Sequence, residues 1–450
     1  MAGGRERDSL TGRLTRYARV SASIGGVAAR AAGNRLRGKQ EAGSSALAGD
    51  VRRALGGLKG PVMKVAQLLA TIPDALPADF ARELTELQSN APPMGWAFVQ
   101  RRMSAELGPD WRQRFKEFER AAAAAASLGQ VHRATAIDGR ALALKLQYPD
   151  MAAAVEADLR QLGVLFAIHR RFDRSIDTRN VLAEVSARLR EELDYELEAR
   201  HMRLYADLLA NEPRVHVPQV LPELSTKRLL TMNWLQGRPL VEFEQAPEAA
   251  RNCIAEALFH AWYIPLYQAG VIHGDPHLGN YTVTDDLSLN LLDFGCIRSF
   301  QPKFIGGVIN LYRAVDTDDR DLAVHAFETW GFDKLSAPVL DALMVWANFL
   351  FAPLLEDRPR RLQETKGAGV FGQDIAFQVH KRLQTEGGVT PPREWVFMNR
   401  ASVGLGAVFL RLRARLNWHR MFHDLIENFD EAALKKRQKA AFTKAGVPIP

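Results

Sequence analysis

A chain of 450 residues, 47% hydrophobic and 25% charged, has length for roughly two to three domains and ample core. That composition excludes a mostly disordered chain, a collagen and a disulfide-stapled miniature scaffold. Two cysteines, Cys253 and Cys296, are too few for a zinc cage. The net charge of +7 is concentrated: residues 1–60 hold 12 basic against four acidic residues, a net of +8, and the remainder is near neutral.

The basic arm, residues 1–55, is followed by no apolar run of the secretory kind. Arg-rich and acid-poor, it also fits an organellar transit peptide. Leu10, Leu14, Tyr17, Ile24 and Val27 recur at near-helical spacing with arginines mostly on other faces, a pattern suited to an anionic membrane surface. A solvated tail weakened by Gly25-Gly26 is the other reading, and both stay open. Nucleic acid is the less favoured partner.

Residues 56–120 read as helices punctuated by Pro61, Pro73, Pro77 and Pro92-Pro93. The six alanines 121–126 read either as a helical segment or as a stiff loop before Ser127-Leu-Gly129. Residues 131–137, the turn Asp138-Gly139 and residues 141–147 form a hairpin. Helices are predicted near 150–172 and 178–210, the second capped by Asp177 or Thr178. Strand texture returns at 215–220 and 228–234. From about residue 240 the chain is mainly helical, with short strands near 281–283 and 289–292. The apolar stretch 342–355, broken by Asn348 and Pro353, is expected to be too short to span a membrane. A cytoplasmic or peripherally membrane-associated chain is the expectation.

The chemistry is concentrated in His273-Gly-Asp275-Pro-His277-Leu-Gly-Asn280 and Leu291-Leu-Asp293-Phe294-Gly295. Phosphoryl transfer from a nucleotide requires divalent metal on the phosphates and a carboxylate near the acceptor. Asp275 takes the place of a catalytic-loop carboxylate. Asn280, five positions on, offers a neutral oxygen to Mg²⁺, and Asp293 is the main metal carboxylate. Asp-Phe-Gly alone is common; the HGD-x-x-x-x-N loop before it makes the pair specific. His273 and His277 lack a third strong ligand nearby and are read as positioning groups. His419 and His423 lack the glutamate of a metalloprotease helix. Lys145, on the alternating strand 141–147, stands where a small lobe places its phosphate-gripping lysine. Its carboxylate partner is sought among Glu191, Glu192, Asp194, Glu196 and Glu198, of which Asp194 and Glu198 are expected to share a helix face.

These residues resemble the UbiB/ADCK family of atypical kinase-like (AarF-domain) proteins linked to ubiquinone biosynthesis and lipid homeostasis. The resemblance runs from about Lys59 to Phe300 and rests on AAAAAASLGQVHRA, ALALKLQYP, EELDYELEA, HGDPHLGN, LLDFG and Lys64-Val-Ala66-Gln67. Ala66 replaces the family glycine, and Leu278 the more usual proline.

The resemblance implies an α+β, two-lobed protein-kinase-like fold, predominantly helical, with a helical N-terminal extension packed over the active site. The expected divisions are 1–55 arm, 56–120 extension, 121–237 small lobe and 238–450 large lobe. It further implies that Lys145 meets the α- and β-phosphates and pairs with Glu198, and that Asp275 is catalytic, with Asn280 and Asp293 on metal. Ala124, Ala125, Ala126 and Ser127 would cover the nucleotide, and Met232 and Trp234 would meet adenine. Glu192 and Asp194 would meet Lys64 and Gln67 of the extension. ATP and Mg²⁺ are the implied cofactors, and isoprenoid lipid or ubiquinone-pathway proteins the implied partners. The expected activity is Mg-dependent ATP hydrolysis or phosphoryl transfer. Two rivals are a small-molecule phosphotransferase of the aminoglycoside or choline type, and a nucleotide- and lipid-binding pseudokinase scaffold.

Overall fold

The computed structural model describes residues 95–450 apart from 127, 150, 158, 161–162, 164–177, 333–334, 363–374, 376–377, 380 and 384–391. The basic arm, Lys64, Gln67 and the expected cap at Asp177 therefore lie outside the described residues, and so does Ser127. The described chain falls into two compact units. One comprises residues up to 102 with 120–132 and 145–193; the other comprises 103–119, 133–144 and 194–450.

Helix α1 (Trp96–Leu107) and a 3-10 turn at Trp111–Arg114 precede strands β1 (Phe115–Ala126), β2 (Gly129–Ala136) and β3 (Ala141–Gln147). The predicted hairpin is present: Ala136 N–H bonds to Arg140 O at 2.9 Å, and Gly139 takes φ +90°, which a side chain would resist. The alanine run is neither helix nor loop but the second half of β1, and residues 115–120, read as helical, are its first half. Alanine's helix preference of a few tenths of a kcal/mol per residue is overridden by ladder pairing with β2. The sheet has the order β1-β2-β3-β5, with β5 at Leu229–Asn233.

The single helix expected over 178–210 is two, α2 (Thr178–Glu192) and α3 (Tyr195–Leu208). The helical pattern runs on through Leu193, but Asp194 adopts a non-helical backbone and its carboxylate accepts the Leu197 amide at 3.0 Å. That is N-cap chemistry, and it starts a new helix. The buried Gln147 amide takes the Leu193 carbonyl at 2.8 Å, satisfying a group that a continuous helix would have used internally. Asp194 and Glu198 consequently do not form a pair on one helix face.

The larger unit is built around α4 (Glu248–Ala269). A second sheet, β4-β9-β8-β6, combines β4 (Val215–His216), β6 (Arg238–Pro239), β8 (Tyr281–Val283) and β9 (Leu289–Leu291). Two strands the sequence reading did not mark, β7 (Val271–His273) and β10 (Ile297–Ser299), pair antiparallel with His273 opposite Ile297. Helices α5 (Pro302–Thr317), α6 (Arg320–Trp330), α7 (Ala337–Phe351), α8 (Arg393–Leu412), α9 (Trp418–Ile426) and α10 (Glu431–Ala445) complete it. Strands β11 (Arg360–Arg361) and β12 (Arg415–Leu416) pair between α7 and α9 in the sequence. The core is aromatic and aliphatic, with Trp262, Trp418, Tyr281 and Phe294 almost wholly buried.

The apolar stretch is longer than the sequence reading had it. Residues Ala337–Leu354 have a mean hydropathy of 1.5 over 18 positions and are long and apolar enough to cross a membrane by length and composition. Only 39% of that window is buried. Val339, Leu340, Leu343 and Trp346 belong to its buried share and face the helical core.

Candidate active site

Strand β7 delivers the chain to the HGD loop, and β10 brings the segment after Asp-Phe-Gly back alongside it. Gly274 lies at this crossing: its N–H donates to Cys296 O at 2.6 Å, and a Cβ there would stand 2.8 Å from that oxygen. Only glycine lets the two main chains approach so closely. The motif's glycine thus has a packing reason inside this fold.

His273 is buried and joins the two motifs. Its Nε2 meets Asp293 O at 2.7 Å, and its Nδ1 meets the Asp275 N–H at 3.2 Å. A carbonyl only accepts and an N–H only donates, so the ring is neutral with its proton on Nε2. Asn280 closes the same loop, its side-chain N–H₂ donating to Asp275 O at 3.1 Å. Asp293 bends its own carboxylate back to accept the Gly295 amide at 2.9 Å. Asp275, Asn280 and Asp293 are therefore brought together on one hydrogen-bonded frame. The histidines act as positioning groups, His277 included, since its Nδ1 accepts the Gly279 amide at 3.1 Å.

Helix α3 holds the Asp-Phe-Gly segment from the other side. Glu198, buried, accepts the Phe294 amide at 3.4 Å. The His201 Nδ1–H donates to Phe294 O at 3.2 Å, and the Tyr205 ring packs edge-on against Phe294 with centroids 5.4 Å apart. The spacing i, i+3, i+7 places all three on one face of α3. His201 and Tyr205 were not singled out from the sequence, although that spacing from Glu198 was visible in it.

Lys145 lies on β3 and is 9% exposed. Ala124 and Ala125 are exposed on β1. Farther along β2, Gln130 and His132 are buried and joined at 2.7 Å, with the amide donating to the ring. Met232 is buried on β5; Trp234 follows it, bonding through its N–H to Ala141 O at 2.8 Å, with the Arg133 guanidinium over its ring. Glu192 ends α2 and Asp194 caps α3.

Among the described residues no group of three or more His, Cys, Asp or Glu side chains is arranged to hold a metal. His419 and His423 stack with centroids 4.1 Å apart, but His419 bonds to Leu354 O and His423 to the Tyr312 hydroxyl, both at 2.7 Å. A carboxylate with one amide oxygen is a different donor set. Hard oxygens from Asp293 and Asn280, completed by phosphate oxygens and water, fit Mg²⁺, which rarely takes an all-protein cage.

The ABC1 atypical kinase-like domain matches residues 86–326, more than half of the chain. This chain belongs to that family. As a UbiB/ADCK-type member of the ABC1 family, it is similar to the mitochondrial atypical kinase coq-8 of Caenorhabditis elegans. The two are 28% identical over 83% of this chain, which spans 50% of the worm protein. It is 27% identical to the mitochondrial atypical kinase COQ8 of Saccharomyces cerevisiae, over 93% of this chain and 85% of the yeast protein. Among solved structures, Rv3197 of Mycobacterium tuberculosis in complex with erythromycin aligns with a TM-score of 0.59 at 28% identity. That alignment covers 83% of this chain and 93% of the other. The ABC1 family's α+β kinase-like fold is the one described above.

Proposed function

We propose that this chain is an Mg²⁺-dependent ATP-binding atypical kinase that hydrolyses ATP or transfers its γ-phosphoryl group, in support of ubiquinone or other isoprenoid-lipid metabolism. The observation that carries the chemical half is the His273 bridge, which fixes the loop bearing Asp275 to the segment bearing Asp293. The lipid half is supported by the relatives named atypical kinase coq-8 and COQ8.

In this reading Asp293 and Asn280 hold Mg²⁺, which when bound neutralises charge on the phosphate oxygens. Asp275 orients the acceptor hydroxyl or a water. As the acceptor oxygen bonds to the γ-phosphorus, the bond to the β-γ bridging oxygen breaks, ADP leaves, and the acceptor proton passes to the Asp275 carboxylate or onward to solvent. Lys145 supplies a cation for the α- and β-phosphates. The backbone of Ala124, Ala125, Ala126 and Ser127 covers the nucleotide, and Met232 and Trp234 meet adenine. Glu192 and Asp194 serve the extension through Lys64 and Gln67, and residues 1–55 serve an anionic membrane surface.

The test is Mg²⁺-dependent ADP release by the purified full chain, with and without anionic liposomes. Asp293→Asn and Asp275→Asn are each expected to lower it at least tenfold while the fold melts cooperatively. Folded protein that binds nucleotide but releases no ADP in either condition would overturn the enzymatic reading in favour of a scaffold.

A further inference from the structure

Cys296, the residue after Asp-Phe-Gly, is a half-buried free thiol set against the HGD loop. Its carbonyl accepts the Gly274 amide at 2.6 Å, and a Cβ on Gly274 would stand 2.9 Å from its Sγ. The sulfur therefore packs on the main chain between His273 and Asp275, with no spare room on that side.

Its other surroundings are polar. The Arg298 Nη2–H donates to the Sγ at 3.5 Å. That guanidinium is held in place: its Nη1 donates to Ile297 O at 2.6 Å, and its carbon stands 5.7 Å from the centre of the Phe397 ring. The Tyr205 hydroxyl is wholly buried and has no hydrogen-bond partner among the described residues. Burial first, then Tyr281 and Cys296, push its phenol well above the ordinary value of 10, so these two are the ionisable neighbours the hydroxyl faces. Tyr281 is already engaged, its oxygen accepting the Trp262 indole N–H at 3.1 Å. Cys296 is the neighbour left.

A buried donor without a partner costs folding free energy, and a redox role is one of the causes that keep such a group in a native fold. A thiol is a weak acceptor. An oxygen bonded to the sulfur is a better one, and it reaches farther from the sulfur. Partly exposed thiols in electropositive surroundings are the ones that peroxides oxidise. Cys253, also half-buried, meets the Arg214 guanidinium and the Leu287 carbonyl. It is the internal reference, a thiol beside a cation but without Tyr205.

We propose that Cys296 is a modification site at which a hydroperoxide converts the thiol to a sulfenic acid, whose oxygen takes hydrogen bonds from Arg298 and the Tyr205 hydroxyl. The sulfur attacks one peroxide oxygen, and the S–O bond forms as the O–O bond breaks. Sulfur is oxidised by two electrons, and the peroxide is reduced to an alcohol or water that carries away the thiol proton. Because Gly274 leaves the sulfur no room, accommodating the oxygen moves the main chain that carries Asp275; close-packed interiors pass such shifts on. The modification and the loop shift stand by themselves. Only an effect on turnover rests on the nucleotide-dependent reading.

The experiment treats the reduced full chain with hydrogen peroxide in the presence of dimedone, and peptide mass spectrometry reads the adduct at each cysteine. Cys296 is expected to label at least fivefold faster than Cys253. Tyr205→Phe and Arg298→Gln, checked for cooperative melting, should each lower labelling at Cys296 at least threefold and leave Cys253 unchanged. No adduct at Cys296, equal labelling of the two cysteines, or undiminished labelling at Cys296 in either variant that folds would overturn the site. Hydrogen exchange of the amides of residues 273–280 should change at least threefold after peroxide in the native chain and stay level in Cys296→Ser; unchanged exchange in the oxidised native chain would overturn the coupling. ADP release should fall at least threefold with peroxide, recover with dithiothreitol, and hold in Cys296→Ser. Steady release from the oxidised native chain would overturn the effect on turnover. A chain without turnover before peroxide would count against the enzymatic reading and leave labelling and exchange to decide the site.

Discussion

The imidazole Nε2–H of His273 donates to the main-chain carbonyl of Asp293 at 2.7 Å, tying the residue before Gly274-Asp275 to the head of Asp-Phe-Gly. The same ring accepts the Asp275 amide. Both carboxylates of the proposed chemistry therefore take their backbone position from one neutral side chain. His273→Ala would leave a part-buried carbonyl and a part-buried amide without these partners, at about 1 kcal/mol each. The expected outcome is at least a tenfold fall in ADP release with a melting temperature lower by several degrees. His273→Gln, which keeps a donor and an acceptor, should lose less on both measurements.

The face of α3 that grips Phe294 separates ring packing from hydrogen bonding. The Tyr205 hydroxyl is buried without a hydrogen-bond partner among the described residues, while its ring packs on Phe294. Tyr205→Phe keeps the ring contact and removes an unsatisfied group, so stability should stay level or rise by up to about 1 kcal/mol. Tyr205→Ala should cost about 3–5 kcal/mol through lost packing. Urea unfolding of the pair checks this, and a large loss in Tyr205→Phe would refute it.

Asp194 supports the start of α3, the helix that carries Glu198. Asp194→Ala removes the cap on the Leu197 amide and should cost about 1 kcal/mol, whereas Asp194→Asn, itself a good cap, should cost a few tenths. Chemical denaturation of both variants gives the comparison. Equal losses would mean that the carboxylate charge matters more than the cap.

Gly404 and Gly306 lie on helices with unequal room. A Cβ at Gly404 meets the Pro276 ring at 2.3 Å, while one at Gly306 meets the tip of Glu431 at 3.3 Å and the Phe429 ring at an ordinary 3.9 Å. Gly404→Ala is expected to destabilise by about 1–3 kcal/mol through overpacking and to lower ADP release. Gly306→Ala should be tolerated or mildly stabilising, since alanine is the better helix former. Melting and turnover of the two single variants test the contrast.

His423 gives the fold a pH dependence. Burial first, and the neighbouring His419 second, hold its imidazole below the ordinary value of 6.5, against the pull of Asp316, Asp424 and Asp357. The folded state thus binds this proton less readily than the unfolded chain does. Stability conferred by the neutral ring is complete above the ordinary value and is lost as pH falls from there towards the depressed folded value. The melting temperature should therefore drop between pH 7 and pH 5.5. His423→Gln should flatten that slope, as measured by calorimetry across the range.

The sequence by itself determined the features whose cause is local. The turn Asp138-Gly139 between alternating strands specifies its hairpin whatever the rest of the chain does. The order of Lys145, Asp275, Asn280 and Asp293, with their spacing, pointed to the atypical kinase-like family whose domain matches residues 86–326. Only the tertiary structure decided the rest. Six alanines became strand because a neighbouring ladder outweighed a weak intrinsic preference. An unbroken helical pattern split at Leu193 because Asp194 found an amide to cap and Gln147, distant in sequence, found a carbonyl to bond. His201 and Tyr205 became a clamp only when Phe294, about ninety residues away, came to lie against α3. Gly404 of α8 needed to be a glycine only once Pro276 of the HGD loop came to lie against it. Local pattern fixes what a segment can form, but which polar group is satisfied and which ring is packed depends on partners that only chain folding brings within reach.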